Sequence, residues 1–134
     1  MVAWPNGPLA NAPSVLIADD SDAWRNAVGD VLARAGFRTL EAADGAEAIE
    51  VVRCVRLDVV LIDFHMPRLD GLQVIRIIRR EQEHLPSVLM TAHPTAVPTE
   101  EVRALRIGSV LTKPADRRLI VTTVTRVMLG EANA

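Results

Sequence analysis

Acidic side chains follow two apolar runs of this sequence, at the point where each run ends. Asp19 and Asp20 come directly after the run 14–18, and Asp63 comes directly after the run 58–62. Carboxylates that lie within a few ångströms of one another repel, and they stay ionised together only beside a compensating cation. Mg²⁺ prefers such oxygen ligands, and no cysteine or pair of histidines accompanies the acids to favour zinc. The three acids therefore indicate a magnesium site, with helix capping as the alternative for Asp19 and Asp20.

A hydroxyl and an ammonium group follow two further apolar runs. Thr91 comes after the run 87–90, and Lys113 lies just beyond the run 110–111. Lys113 is the only lysine among fifteen basic residues, which indicates a position that needs a compact ammonium rather than a planar guanidinium. Both groups can hold phosphate oxygens, and a carboxylate beside them can act as a nucleophile and form an aspartyl phosphate. The set points to phosphoryl transfer, whereas a strand-end threonine and a leftover surface lysine are the plainer interpretations.

Five short apolar runs alternate with five helical segments along the chain. The predicted strands are 14–18, 37–40, 58–62, 87–90 and 110–111, and the predicted helices are 22–35, 44–55, one that begins at 70, 98–106 and 116–129. This alternation predicts an α/β fold, a five-stranded parallel sheet with helices on both faces in the doubly wound, flavodoxin-like (βα)5 arrangement. Ligands of such sheets bind beyond the carboxyl ends of the strands, so the acids, Thr91 and Lys113 should converge on one edge.

The composition is that of one globular domain. The 134 residues are 49% hydrophobic and 24% charged, which excludes a disordered chain and leaves no room for a second domain. We assign residues 1–13 to a flexible N-terminal arm, 14–129 to the domain and 130–134 to a C-terminal tail. The single cysteine, Cys54, excludes a disulfide framework and indicates a cytoplasmic location. The net charge of −2 predicts no direct nucleic-acid binding, and the prolines of the N-terminal stretch argue against membrane insertion.

Four blocks of residues occur in an order that is typical of one protein family. They are Leu16-Ile-Ala-Asp-Asp20, Val60-Leu-Ile-Asp63-Phe-His-Met-Pro67-Arg-Leu-Asp-Gly71, Met90-Thr-Ala92 and Leu111-Thr-Lys-Pro114. With these blocks the sequence resembles the receiver domain of two-component response regulators, and the resemblance covers about residues 14–129. The Asp-x-x-Met-Pro-x-x-Asp-Gly stretch is the most specific of the four. The resemblance implies a signalling phosphoacceptor in a phosphorelay, which catalyses only its own phosphorylation and dephosphorylation and is not otherwise an enzyme.

The resemblance also implies roles for the acidic residues. Asp63 would accept the phosphoryl group from a phosphohistidine of a sensor histidine kinase or a histidine phosphotransfer protein. Asp20 and Asp63 would bind Mg²⁺ directly, Asp19 would help through water, and the backbone carbonyl of His65 would be a further ligand.

The remaining implied roles belong to Thr91 and Lys113. Both side chains would hold the phosphoryl oxygens, with a cis peptide bond between Lys113 and Pro114. The phosphorylated chain would bind a downstream protein target, and a phosphorylation-dependent homodimer is a further partner to consider.

Several residues depart from related patterns and leave alternatives open. Receivers usually have an aromatic residue three positions before the lysine, where this chain has Val110, so a receiver-like interaction scaffold that acts without phosphorylation is the alternative function. A phosphatase with an aspartyl nucleophile would need a second acid at the position of His65. A flavin-binding module would need a phosphate loop where Asp19 and Asp20 would repel phosphate.

Other side chains have structural interpretations. We interpret the His65 and His93 side chains as rim residues of the cleft rather than metal ligands. Cys54 is expected to be buried on the inner side of the second helix, and Trp24 to lie in or near the core. The last helix is expected to turn Leu119 inward.

Overall fold

Five parallel strands form the centre of the structure, a computed structural model that describes residues 11–131. The strands are β1 (Ser14–Ala18), β2 (Arg38–Ala42), β3 (Val59–Asp63), β4 (Ser87–Thr91) and β5 (Ser109–Thr112). Their order in the sheet is β2-β1-β3-β4-β5, and every neighbouring pair is parallel. The order reverses between β1 and β3, which is where ligands bind in doubly wound sheets. The predicted fold class is confirmed.

Four helices connect these strands, and a fifth follows β5. They are α1 (Asp22–Arg34), α2 (Gly45–Cys54), α3 (Gly71–Glu81), α4 (Thr99–Ala104) and α5 (Arg117–Met128), with a 3₁₀ turn at Pro94–Ala96. Each helix except α4 begins after a side chain that caps its first turn, namely Ser21, Asp44, Asp70 and Asp116. These caps satisfy N–H groups that have no partner within the helix. The helix α4 is shorter than predicted, because Pro98 offers no side-chain cap and Arg106 takes a left-handed conformation at φ 54°.

Two hydrophobic clusters cover the two faces of the sheet. Successive residues of a strand point to opposite faces, so Leu16 packs with α2 and α3 whereas Ile17 packs with α1 and α5. All five residues of β1, β3 and β4 are buried. Burial on both faces holds the carboxyl ends of these three strands in fixed positions relative to one another, and the predicted site residues other than Lys113 lie at or just after those ends.

Two predictions about individual side chains are wrong. Cys54 is exposed and donates to a carboxylate of Glu50, because the inward positions of α2 are Ala48, Ile49 and Val52 and Cys54 lies about 200° around the helix from Val52. Leu119 is 48% exposed, since its neighbour Ile120 takes the inward position. Both residues lie near an end of their helix and beside its inward-facing positions, so their side chains face solvent.

The predicted N-terminal arm lies largely outside the described residues, and the domain boundaries stay a prediction. Within the described part, Ala12 is buried and the carbonyl of Pro13 accepts the N–H of Arg38 on β2. Among residues 11–131, no helix is long and apolar enough to cross a membrane.

Gly71 stands where α3 approaches the end of β3, and a larger residue there should destabilise the fold. A Cβ atom at this position would lie 2.4 Å from the backbone oxygen of Asp63, so two backbones would have to separate. We expect Gly71→Ala to lower the free energy of unfolding by about 2–3 kcal/mol, measured by urea denaturation.

Gly29 in α1 supplies the matched control for that substitution. Its Cβ would meet a carboxylate oxygen of Glu41 at 3.3 Å, which is the mobile end of a side chain. Alanine is also the better helix former, so Gly29→Ala should change stability by less than about 1 kcal/mol. Equal losses in the two variants would contradict the argument from backbone contact.

Candidate functional site

Three carboxylates meet at the carboxyl ends of β1 and β3. The two strands are neighbours, with Ala18 paired to Ile62, so Asp19, Asp20 and Asp63 follow at adjacent positions. One oxygen of each carboxylate lies within 4.8 Å of the others. The structure therefore brings the three predicted acids together, at the reversal point of the strand order.

Asp19 is fully buried and held from three directions. Its Oδ1 accepts the N–H of Ser21 at 2.8 Å, and its Oδ2 accepts a hydrogen bond from Lys113 Nζ at 2.8 Å. Its backbone carbonyl accepts from Arg25 Nη1 at 2.6 Å, and the same guanidinium bonds to Glu41 on β2. Arg25 thus fixes the acidic loop to the neighbouring strand. Arg25 is not among the site residues predicted from the sequence, although its spacing of three from Asp22 on a helix indicates an ion pair.

Lys113 lies between two carboxylates and an aromatic ring. Its Nζ is 2.8 Å from Asp19 Oδ2, 3.4 Å from Asp63 Oδ1 and 5.4 Å from the centre of the Trp24 ring. Burial opposes the charge, but the hydrogen bond and charges of Asp19 and Asp63 outweigh it and hold the pKa of Lys113 above its ordinary value. The Trp24 indole donates to Met90 Sδ at 3.3 Å, which fixes the ring beside the ammonium. The Lys113–Pro114 peptide bond is cis, as the resemblance implies.

The negative charge of the Asp63 carboxylate is only partly compensated by this ammonium. Its side chain is only 5% exposed. Burial first, and the charge of Asp19 second, raise its pKa from 3.8 to about 6, while Lys113 offsets only part of that effect. A buried carboxylate under such strain gains from any additional cation.

Thr91 ends β4 directly after Met90, the pairing partner of Asp63. Its side chain is fully buried, and its Oγ1 accepts the N–H of His93 at 2.9 Å. A hydroxyl that accepts one hydrogen bond still has its own proton to donate. An open cleft of about 430 Å³ lies above the acids, and it is lined by Asp20, Asp63, His65, Ala92, His93 and Lys113. Thr91 lies next to this cleft without lining it.

The raised pKa of Asp63 predicts a pH dependence of stability in the metal-free protein. The folded chain keeps the Asp63 proton up to about pH 6, whereas the unfolded chain releases it near 3.8. Between these values the folded state binds more protons, so the free energy of unfolding falls as the pH rises. We expect Asp63→Asn to be more stable than wild type above about pH 7, by roughly 1–2 kcal/mol, and equally stable below about pH 4.

Thermal denaturation in the presence of a chelator measures this difference. Asp30→Asn, which removes the same charge at an exposed position of α1, is the control. Its stability relative to wild type should not change with pH. A gap between Asp63→Asn and wild type that stays constant from acid to neutral pH would contradict the prediction.

Comparisons with known proteins agree with this geometry. Residues 15–125 match the family described as the response regulator receiver domain. The response regulator protein FleR of Pseudomonas aeruginosa is 36% identical over 123 residues, which cover 90% of this chain and 25% of that protein. The sporulation initiation phosphotransferase F of Bacillus subtilis is 29% identical over 102 residues, which cover 76% of this chain and 82% of that protein.

A solved structure extends the likeness to three dimensions. The chemotaxis response regulator CheY4 of Vibrio cholerae matches with a TM-score of 0.80 and 29% identity, over 87% of this chain and 99% of that chain. The chain spans 25% to 51% of the length of several curated relatives that it matches. The likeness therefore concerns one domain of those longer proteins.

Proposed function

This chain belongs to the receiver domain family of two-component response regulators, and we propose that its Asp63 carboxylate accepts a phosphoryl group from a phosphohistidine. The P–N bond of the donor breaks as a P–O bond to Asp63 forms, and the donor imidazole leaves with the electron pair of the broken bond. The observation that carries the proposal is the position of Asp63. It lies at the bottom of an open cleft, between an ammonium group and two further carboxylates.

Mg²⁺ fits the acid cluster by the chemistry of its donors. All three groups offer carboxylate oxygens that lie close together, and Lys113 alone leaves the pKa of Asp63 raised. A hard divalent cation prefers such oxygens and has room in the open cleft for water and a phosphoryl oxygen. When bound there, Mg²⁺ would supply positive charge for the phosphoryl oxygens and for the ionised form of Asp63. We propose Asp20 and Asp63 as direct ligands, Asp19 as a ligand through water, and the backbone carbonyl of His65 as a fourth.

Lys113 and Thr91 have supporting roles in this proposal. The ammonium of Lys113 already lies 3.4 Å from Asp63 Oδ1, so it can hold an oxygen of the incoming group without a large movement. The Thr91 hydroxyl would turn towards the cleft and donate to a second phosphoryl oxygen. Its bond with the N–H of His93 couples that turn to the loop after β4.

The partners follow from the family. Receiver domains of response regulators interact with histidine kinases or phosphotransfer proteins and with downstream targets. For this chain we propose a sensor histidine kinase or histidine phosphotransfer protein as the donor, a downstream protein as the target, a homodimer on phosphorylation, and a cytoplasmic location. The chain is a signalling domain, and its proposed catalysis is limited to its own phosphorylation and dephosphorylation. No observation favours a scaffold that acts without phosphorylation.

Incubation with acetyl phosphate tests the phosphoacceptor proposal. The full chain should gain one acid-labile phosphoryl group in the presence of Mg²⁺ and little or none with a chelator. Mass spectrometry of borohydride-reduced peptides should place the modification at Asp63. A chain that stays unmodified with Mg²⁺, or one that is modified at another residue, would contradict the proposal.

A further inference from the structure

Two histidines that are far apart in the sequence meet at the mouth of the cleft. His65 follows β3 and His93 follows β4, and their ring centres are 5.9 Å apart at an angle of 79°. Both positions are held by local contacts, since the His65 ring lies 4.7 Å from the Phe64 ring and the His93 N–H donates to Thr91 Oγ1. Within residues 11–131, no hydrogen bond engages a ring nitrogen of either histidine. The four nitrogens are therefore available to a ligand.

The spacing of the rings suits two ligands of one transition ion. A Zn–N bond is about 2.1 Å long, and the nitrogen lies roughly 1.1 Å from the centre of its ring. Two imidazoles that bind one ion at a tetrahedral angle therefore have their ring centres about 5.2 Å apart. The observed 5.9 Å is within about 1 Å of that value, and both side chains are exposed, so a small rotation of either ring closes the difference. Imidazole nitrogen is a ligand that zinc, copper and nickel prefer, and that Mg²⁺ does not.

Charge and a third ligand favour the same cation. The cleft holds three carboxylates against the single ammonium of Lys113, so its formal charge attracts divalent ions. Asp20 lines the cleft with both histidines, is exposed, and makes no hydrogen bond or ion pair within the part of the chain that the structure describes. Its carboxylate can join the two imidazoles by rotation of its side chain. The only three groups already within mutual ligating distance, among the described residues, are the acids themselves.

We propose that His65 and His93, together with the Asp20 carboxylate, form a second cation site that binds a divalent transition ion such as Zn²⁺. This assignment replaces the interpretation of the two side chains as rim residues. The ion lies across the mouth of the cleft and takes Asp20 away from Mg²⁺. If the proposed function is right, Zn²⁺ then blocks phosphorylation of Asp63, and this consequence rests on that function whereas the binding itself does not.

NMR spectroscopy of the imidazole groups tests the binding directly. The chain has three histidines, and the third, His84, is exposed and precedes β4, at the opposite end of that strand from His93. Addition of Zn²⁺ up to one equivalent should shift the signals of His65 and His93 together and leave those of His84 in place. Shifts at none of the three histidines, or equal shifts at all three, would overturn the proposal.

Substitution separates this site from the acid cluster. In calorimetric titrations, the double variant His65→Asn, His93→Asn should bind Zn²⁺ at least about 10-fold more weakly than wild type. The single variant His93→Asn, which leaves the proposed Mg²⁺ ligands in place, should bind Mg²⁺ unchanged. His84→Asn is the matched control and should bind both ions as wild type does. Wild-type Zn²⁺ affinity in the double variant would show that the acids alone bind the ion, which would overturn the proposal.

A phosphorylation assay then tests the consequence. With acetyl phosphate and excess Mg²⁺, Zn²⁺ should inhibit labelling of wild type, and the double variant should need about 10-fold more Zn²⁺ for the same inhibition. If no chain is labelled even without Zn²⁺, the proposed function fails while the spectroscopic result stands. Equal inhibition of wild type and double variant would refute the blocking role of the two histidines.

Discussion

Asp63→Asn should accept no phosphoryl group from acetyl phosphate, whereas the wild-type chain becomes labelled in the presence of Mg²⁺. The amide has no anionic oxygen to attack phosphorus, and it removes a proposed direct ligand of Mg²⁺. The neighbouring Asp19 cannot replace it, because Asp19 is fully buried and both its carboxylate oxygens are engaged. We expect the labelling rate to fall about 10³-fold or more, to the background of the assay.

Asp30→Asn is the matched control for this result. It removes one negative charge from an exposed position of α1, outside the cleft, so its labelling should equal that of wild type. The Asp63→Asn chain should remain folded, and at neutral pH without metal we expect it to be more stable than wild type. Labelling of Asp63→Asn at undiminished stoichiometry would mean that another residue is the acceptor.

Lys113→Arg should lose most of the phosphorylation rate although it keeps the positive charge. The ammonium lies within reach of Asp19 and Asp63 at once, with the Trp24 ring on its other side. A guanidinium is larger and planar, so it cannot bond both carboxylates from this position without displacing the indole. We expect the initial rate with acetyl phosphate to fall about 100-fold, which corresponds to about 2.7 kcal/mol of transition-state stabilisation.

Lys113→Met separates size from charge in that experiment. Methionine has a similar reach but no charge, so Asp19 and Asp63 would lose the ammonium beside them and labelling should fall at least as far as in Lys113→Arg. The Mg²⁺ affinity of both variants should be measured by the same titration. Near-wild-type labelling of Lys113→Arg would show that a positive charge alone suffices, and that the compact shape of the single lysine has no role.

The amino-acid sequence by itself determined the fold and the members of the acid cluster. Short apolar runs that alternate with capped helical segments predict a parallel sheet that is covered by helices on both faces. Because the carboxyl ends of parallel strands share one edge, the residues that follow β1, β3, β4 and β5 had to meet. Asp19, Asp20, Asp63 and Lys113 therefore lie where the order of the elements puts them. Helix starts were also readable, since a capping side chain acts on the residues beside it.

Only the tertiary structure decided which side chains touch within and around that cluster. Trp24 meets Lys113 and Arg25 binds the Asp19 carbonyl because α1 packs back against β1. His65 and His93 are 28 positions apart, and they meet because β3 and β4 are neighbours in the sheet. Periodicity describes one element at a time, whereas side-chain contacts depend on how elements pack. The sequence therefore named the carboxylates and the lysine, and the packing of the loops alone paired the histidines.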